Sequence, residues 1–190
     1  MNELKLELKL LLKKGMSQQE AFKFYDKLEP VSNKEMLGRW RGKEVSSGHP
    51  MDGILTICPW YGKEFIDEET VHPLVFKERK GNLFFINPDR IFKYYDIVLK
   101  SKMLKKILNS KKTVNRHQYD CILKRFKTKR SKARLRQVEY RGKVSAAMVY
   151  DSLPIIDVFR KIDDYTLLGV MDMKGNFNDL GYFFILKREG

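Results

Sequence analysis

The amino-acid sequence predicts a mainly-β fold, an antiparallel sheet that curls into a closed or nearly closed barrel, with helical additions. Three observations carry this. Five β-like runs fill the last third of the chain: Ala133–Tyr140, Val144–Tyr150, Ile155–Ile162, Thr166–Met171 and Tyr182–Arg188. The first four are joined by turns so short (Arg141-Gly142, Asp151 to Pro154, Asp163 to Tyr165) that only neighbouring antiparallel strands can use them. Apolar residues occur on both faces of these runs, and a meander of that kind tends to close on itself.

The earlier elements follow in order. Ser17 with Glu20 three residues on is a capping-box pattern, and Ala21, Phe22, Tyr25 and Leu28 keep helical spacing up to Pro30, so a helix is expected over 17–29. Leu4 to Leu12 suits either an extension of that helix or an edge strand. Gly38-Arg39-Trp40-Arg41-Gly42 runs into Lys43-Glu44-Val45 as a strand, and Ser46 to Pro50 is turn chemistry. Pro50 to Ile57, with Pro59 beyond it, reads as a short helix. Strands are expected at 62–67, 73–79 and 82–87. Ile97, Met103, Leu104, Ile107 and Leu108 then form a helical stripe with Lys between them, and 110–131 is basic and irregular, with a helical turn near Tyr119–Phe126.

At 190 residues, 43% hydrophobic and 12% aromatic, the chain can bury a core without a disulfide or metal staple. No apolar run is long enough to span a membrane, which takes roughly 18 residues. Met1 to Gly15 alternates Leu with Lys and Glu, unlike a secretory signal. Cys58 and Cys121 have no metal or redox spacing, so a reducing cytoplasm is the expected location. The formal net charge of +14 is local: from Lys100 to Arg136 there are fifteen Lys or Arg and one acid, Asp120, while the rest balances. Lys124, Arg125, Lys127, Lys129 and Arg130 form its densest surface. That surface suits a nucleic acid or an anionic membrane, or stands as a solvated charged face.

Gly-x-Trp-x-Gly after a short helix resembles the opening of the calycin superfamily: lipocalins, fatty-acid-binding proteins and nitrobindins. The resemblance implies that Trp40 plugs one barrel end with an Arg of the last strand over its indole, and Arg188 stands where that partner belongs. Gly38 to Gly42, Gly48 to Gly53, Trp60-Tyr61-Gly62-Lys63 and Val71-His72-Pro73-Leu74 are similar to the GXWXG-domain proteins. Ala133 to Arg136, Glu139 to Gly142, Ala146-Ala147-Met148 and the stretch to Asp172 resemble the domain of unknown function that accompanies them. This family implies a calycin-like, lipocalin-like barrel and brings no activity with it. Nitrobindins hold haem through a His late in the barrel; here no His follows His117, and the late strands offer only Tyr150, Tyr165 and Tyr182. No cofactor is expected.

The expected organisation is one domain over 1–190: an N-terminal helical segment (1–36), the first part of the barrel (37–89), a basic helical insertion (90–131) and a β-meander completing the barrel (132–190). The expected function is non-enzymatic binding of a small apolar or fatty-acid-like ligand inside the barrel, possible delivery at an anionic surface being part of that reading. Met148, Tyr150, Ile156, Phe159, Arg160, Val170 and Phe184 are the pocket candidates. Arg160 would anchor a carboxylate if it points inward, or snorkel outward under a helix if it does not. The alternatives are a nucleic-acid-binding module using Lys100–Arg136, and an enzyme using His49, Asp52 and His72, whose imidazoles titrate near neutrality. Those three side chains lack a fourth ligand, so no metal is expected. No phosphate loop, nucleophile elbow or zinc motif occurs.

Overall fold

The computed structural model describes residues 3–78, 80–93, 123–175, 177 and 179–190. The stripe expected at 97–108, His117, Cys121 and the first part of the basic segment lie outside them.

Two helices open the chain. Helix α1 (Glu3–Lys14) decides between the two readings of Leu4–Leu12: Leu8 is buried and Leu4, Leu11 and Leu12 pack beside it, a helical rather than an alternating pattern. Helix α2 (Gln18–Lys27) begins at Ser17, whose side chain accepts from the Glu20 N–H while the Glu20 carboxylate accepts from the Ser17 N–H at 3.0 Å. A two-residue strand β1 (Glu29–Pro30) and a single helical turn α3 (Asn33–Met36) follow. Neither was expected, being too short to show a period, although Ser32 and Glu35 repeat the same capping box.

Strands β2 (Gly38–Val45), β3 (Trp60–Phe65), β4 (Val71–Lys77) and β5 (Leu83–Ile86) come next, with the short helix α4 (Ile54–Ile57) between β2 and β3. Residues 88–93 are helical. Strand β6 (Lys127–Thr128) lies in the segment expected to be helical and irregular, where it pairs with β5. The meander is β7 (Ala133–Tyr140), β8 (Lys143–Tyr150), β9 (Ile155–Asp163), β10 (Thr166–Met173) and β11 (Tyr182–Arg188).

All pairings are antiparallel. Strands β2, β3, β4, β7, β8, β9, β10 and β11 form a ring, because β11 pairs with β2 and β4 pairs with both β3 and β7. The architecture is barrel-like. The β4–β7 joint is narrow: one register pair, Val71 with Ala133, fastened by Ser131, whose hydroxyl accepts from the Val71 N–H at 3.1 Å. Strands β5 and β6 continue the sheet from β4 outside the ring.

The two apolar faces of the meander have different destinations. One faces the interior, where Trp40, Phe65, Leu135, Met148, Phe159 and Phe184 meet. The other faces outward and is covered by Phe24 and Tyr25 of α2, and by Leu28 just past its end, packing on Val158, Val170 and Phe183. Each fully buried side chain of this size contributes about 1.5–3 kcal/mol, so the helices are integral to the ring wall. A third cluster (Leu74, Phe76, Phe84, Ile86 and Leu123) packs beside β4 and β5.

Candidate functional site

Among the described residues, one ion pair is buried in the ring interior. Asp157 on β9 is paired across the sheet with Met148 and Met171, which puts it on the same face as Phe159. Lys63 on β3 meets it: Nζ lies 2.7 Å from Asp157 Oδ2, and the side chains are only 3% and 2% exposed. Nζ also donates to the Pro73 carbonyl at 3.2 Å and lies 4.8 Å from the Phe184 ring centre and 5.9 Å from that of Trp60. The ammonium is thus fully engaged. On the carboxylate, Oδ2 takes the ammonium and the Tyr150 hydroxyl stands close by as a second donor. Burial raises the Asp157 pKa, with Lys63 and the neighbouring Tyr150 hydroxyl pulling the other way. Tyr150 is itself pushed well up by burial and by Asp157. Removing two charges from water costs several kcal/mol each, so this pair is an expensive feature for an interior that apolar side chains could fill.

The two ends of the ring differ. At one, Trp40 and Arg188 are register partners on β2 and β11, with the guanidinium 4.2 Å from the indole centre. Trp40 Nε1 donates to the Met36 carbonyl at 2.7 Å, and Arg188 donates to the carbonyls of Leu37 (2.8 Å) and Glu35. Helix α3 thereby seals this end. Gly38, at φ 111°, makes the turn from α3 into β2 in a conformation that suits glycine. A shallow cavity of about 240 Å³ lies outside the seal, lined by Val31, Glu35, Lys161 and Asp164 among others. At the other end, where β2, β8 and β10 finish, the apolar side chains of Leu55, Leu153, Met173 and Phe177 pack on the interior cluster but remain partly exposed.

The pocket candidates separate by face. Met148, Tyr150, Phe159 and Phe184 belong to the interior cluster. Ile156, Arg160 and Val170 do not line the interior: they sit on the outward face under α2. Strand alternation requires this, since Phe159 and Arg160 are adjacent and must point to opposite sides. Arg160 is fully buried there, donating to the carbonyls of Tyr140 (2.7 Å) and Lys143 (3.4 Å), its guanidinium 5.3 Å from the Tyr25 ring centre. It does not snorkel to solvent. Burial raises the Tyr25 pKa, against Arg160.

His49, Asp52 and His72 do not converge. Asp52 Oδ2 accepts from the backbone N–H groups of Ser47, Gly48 and His49 at 2.8–3.0 Å, an anion held in a turn. His49 Nδ1 accepts from the Met51 N–H at 3.1 Å, and its ring packs against Phe177 and Tyr182. His72 stacks face to face on Phe85 at 3.7 Å, on a different strand. Burial lowers both imidazole pKa values, Asp52 opposing this at His49 and Glu64 at His72. Among the described residues no cluster of His, Cys, Asp and Glu has the makings of a metal site.

The basic surface is exposed at Lys124, Arg125, Lys127, Lys129 and Arg130. Lys127 pairs with Glu78 at 2.6 Å and lies 4.5 Å from the Phe84 ring centre; Lys124 reaches the same carboxylate at 3.9 Å. The run continues into Lys132, whose carbonyl accepts from the Asp151 N–H at 3.1 Å beside Leu153, so it ends at the partly exposed rim. No helix among the described residues is long and apolar enough to cross a membrane.

Sequence reasoning missed Lys63 and the role of Asp157. The available signal was an acid, Asp157, on the same alternating face as Ile155 and Phe159.

Two family models match in succession: "GXWXG protein" over residues 23–81, and "Domain of unknown function (DUF4334)" over 131–188. Lys63 falls in the first and Asp157 in the second, so the ion pair ties the two segments together. Among solved structures, the chain is similar to a protein from Thermomonospora curvata, with 30% identity, a TM-score of 0.67 and 99% of each chain covered. Comparison with curated proteins gave no match.

Proposed function

This chain belongs to the family that joins a GXWXG segment to the DUF4334 domain, and from that premise we propose that its ring binds a small apolar molecule and carries it rather than converting it. The observation that carries the reading is the inequality of the two ends. Trp40, Arg188 and α3 seal one, whereas Leu55, Leu153, Met173 and Phe177 leave an apolar rim at the other. Binding sites of this kind are concave and largely apolar, with few polar groups fixing orientation; here those are Lys63, Asp157 and Tyr150. The separation of His49 and Asp52 from His72 favours a carrier over an enzyme built on them. The partly buried Cys58 thiol, its pKa raised to about 11 by desolvation and secondarily by Glu44, suits a structural role in a reducing cytoplasm.

Native mass spectrometry of gently purified protein, followed by solvent extraction, tests this. A bound mass that extraction releases as an apolar compound is the expected result. An apo mass, together with failure to bind any neutral apolar fluorophore, would overturn it.

The basic run that ends at the rim favours delivery at an anionic lipid surface. Replacing Lys124, Arg125, Lys127, Lys129 and Arg130 with Gln should abolish salt-sensitive binding to phosphatidylserine vesicles. Preferential binding to duplex DNA or RNA over those vesicles would instead favour the nucleic-acid reading.

A further inference from the structure

We infer that residues 48–58 form a lid over the unsealed end of the ring, and that Glu44 is the latch that holds it shut. The movement stands on the contacts of this segment; what it admits rests on the carrier reading.

Strands β2 and β3 are antiparallel neighbours, which a turn of about 2–5 residues can join. The chain instead uses 46–59 for the connection. Both feet of it are fixed. The Gln18 side chain of α2 donates to Ser47 Oγ at 2.7 Å, and the Pro59 carbonyl accepts from the Lys77 N–H at 3.0 Å. Between the feet the backbone bonds largely to itself. The N–H groups of Gly48 and His49 go to the Asp52 carboxylate and that of Met51 to His49 Nδ1. Those of Asp52, Ile54 and Cys58 go to carbonyls within the segment.

Two N–H groups reach outside it, and both go to one side chain. Gly53, the N-cap of α4, has no side chain to cap the helix. The Glu44 carboxylate takes that part, accepting from the Gly53 N–H, from the Thr56 N–H at 2.8 Å and from the Thr56 hydroxyl at 3.2 Å. Glu44 is the register partner of Phe184 at the inward face of β2 and is 9% exposed. A carboxylate in that position needs donors, and bonds to it are stronger than those between neutral groups.

The rest of the hold is apolar. Met51 belongs to the interior cluster, Ile54 and Leu55 pack against it, and the His49 ring rests on Phe177 and Tyr182. Gly48, at φ 85°, is the hinge beside the fixed Ser47. Swinging 48–58 outward breaks no strand pairing. It withdraws Met51 and Leu55 from the ring end and bares Tyr182, so opening makes the room that a ligand would take.

Hydrogen exchange read by mass spectrometry tests the latch in the wild type, Glu44→Ala and Gly53→Ala. The first removes the acceptor. The second strains the left-handed turn at φ 96° without touching a ring side chain, and so keeps the test alive if Glu44→Ala fails to fold. Peptides over 48–58 should exchange at least about tenfold faster in Glu44→Ala and about fivefold faster in Gly53→Ala. Peptides of β9 and β10 should keep their wild-type rates. Stopped-flow binding of the neutral probe N-phenyl-1-naphthylamine should show entry accelerated in both variants. Unchanged exchange over 48–58 overturns the lid, and so does acceleration shared equally by β9 and β10, which makes Glu44 a wall residue. Faster exchange with unchanged probe entry overturns the segment as a way in and leaves the carrier reading standing. A probe that binds none of the three proteins sinks the carrier reading, and exchange alone then decides the lid.

Discussion

The indole of Trp60 occupies the space that a Cβ on Gly42 would need: an added methyl there would lie 2.2 Å from its ring. The second glycine of the Gly-x-Trp-x-Gly motif therefore serves Trp60, not Trp40. Gly42→Ala should displace the Trp60 ring and cost about 1–3 kcal/mol, the range for overpacking a core. Urea denaturation measures this, and Trp60→Leu in the same chain should recover part of the loss.

Arg188→Lys should behave as a damaging change rather than a conservative one. Arg188 covers the Trp40 indole and at the same time donates to the carbonyls of Leu37 and Glu35, which a lysine cannot match in geometry. A loss of about 2–3 kcal/mol is expected from the combined contacts, with a shift in tryptophan emission as the sealed end loosens.

Asp157→Ala alone leaves the Lys63 ammonium buried without its partner and should cost about 3–5 kcal/mol, whereas the Lys63→Met, Asp157→Leu pair should melt near the wild-type temperature. Equal losses in the two proteins would mean that the pair, and not only its balance, is required by the fold. Circular-dichroism melts compare them directly.

Acid should destabilise the protein in two stages. Burial lowers the His72 pKa below 6.5, with Glu64 opposing, so on acidification the unfolded chain takes up a proton before the native imidazole does, and stability falls as pH drops through and below about 6.5. Glu20 and Glu35 are held near about 2 in the native state, Glu20 first by the Ser17 backbone bond and Glu35 first by Lys161. Their contribution is present above 4.5 and is lost as pH falls toward 2. His72→Phe, which keeps an aromatic ring against Phe85, should reduce the first stage to the share of His49, whose pKa burial also lowers, and leave the second; thermal melts across pH would show it.

Much of this fold is legible in the sequence. The meander strands stand out because their turns are short and their apolar runs end at Gly, Asp and Pro. The capping box at Ser17 marks the start of α2, whereas α3 is too short for periodicity to reveal it and goes unexpected despite the same box at Ser32. Which face of β9 looks inward is not legible. Both faces are buried, one by the ring and one by α2, and each carries ions: Asp157 and Lys161 on one, Arg160 on the other. Hydrophobicity alone cannot choose between two covered faces, which is why the sequence pattern groups Ile156, Arg160 and Val170 with Phe159. Lys63 was hidden for another reason, because its partner lies in the other family segment and only ring closure brings the two together.

The narrow joint between β4 and β7 determines where the wall yields. A closed ring opened along β9 and β10 must break a full ladder at once; opened at Val71 and Ala133 it gives up one register pair, the bonds of Ser131 and two backbone bonds, from the Lys132 N–H to the Val71 carbonyl at 3.1 Å and from the Leu135 N–H to the Glu68 carbonyl at 2.7 Å. Local openings follow the least costly route, so amide protons at this joint should exchange with solvent well before those of β9 and β10. The basic run feeds into the joint through Ser131 and Lys132, so a pull on that run acts like a thumb on a clasp, parting the wall beside Val71 and Ala133 first.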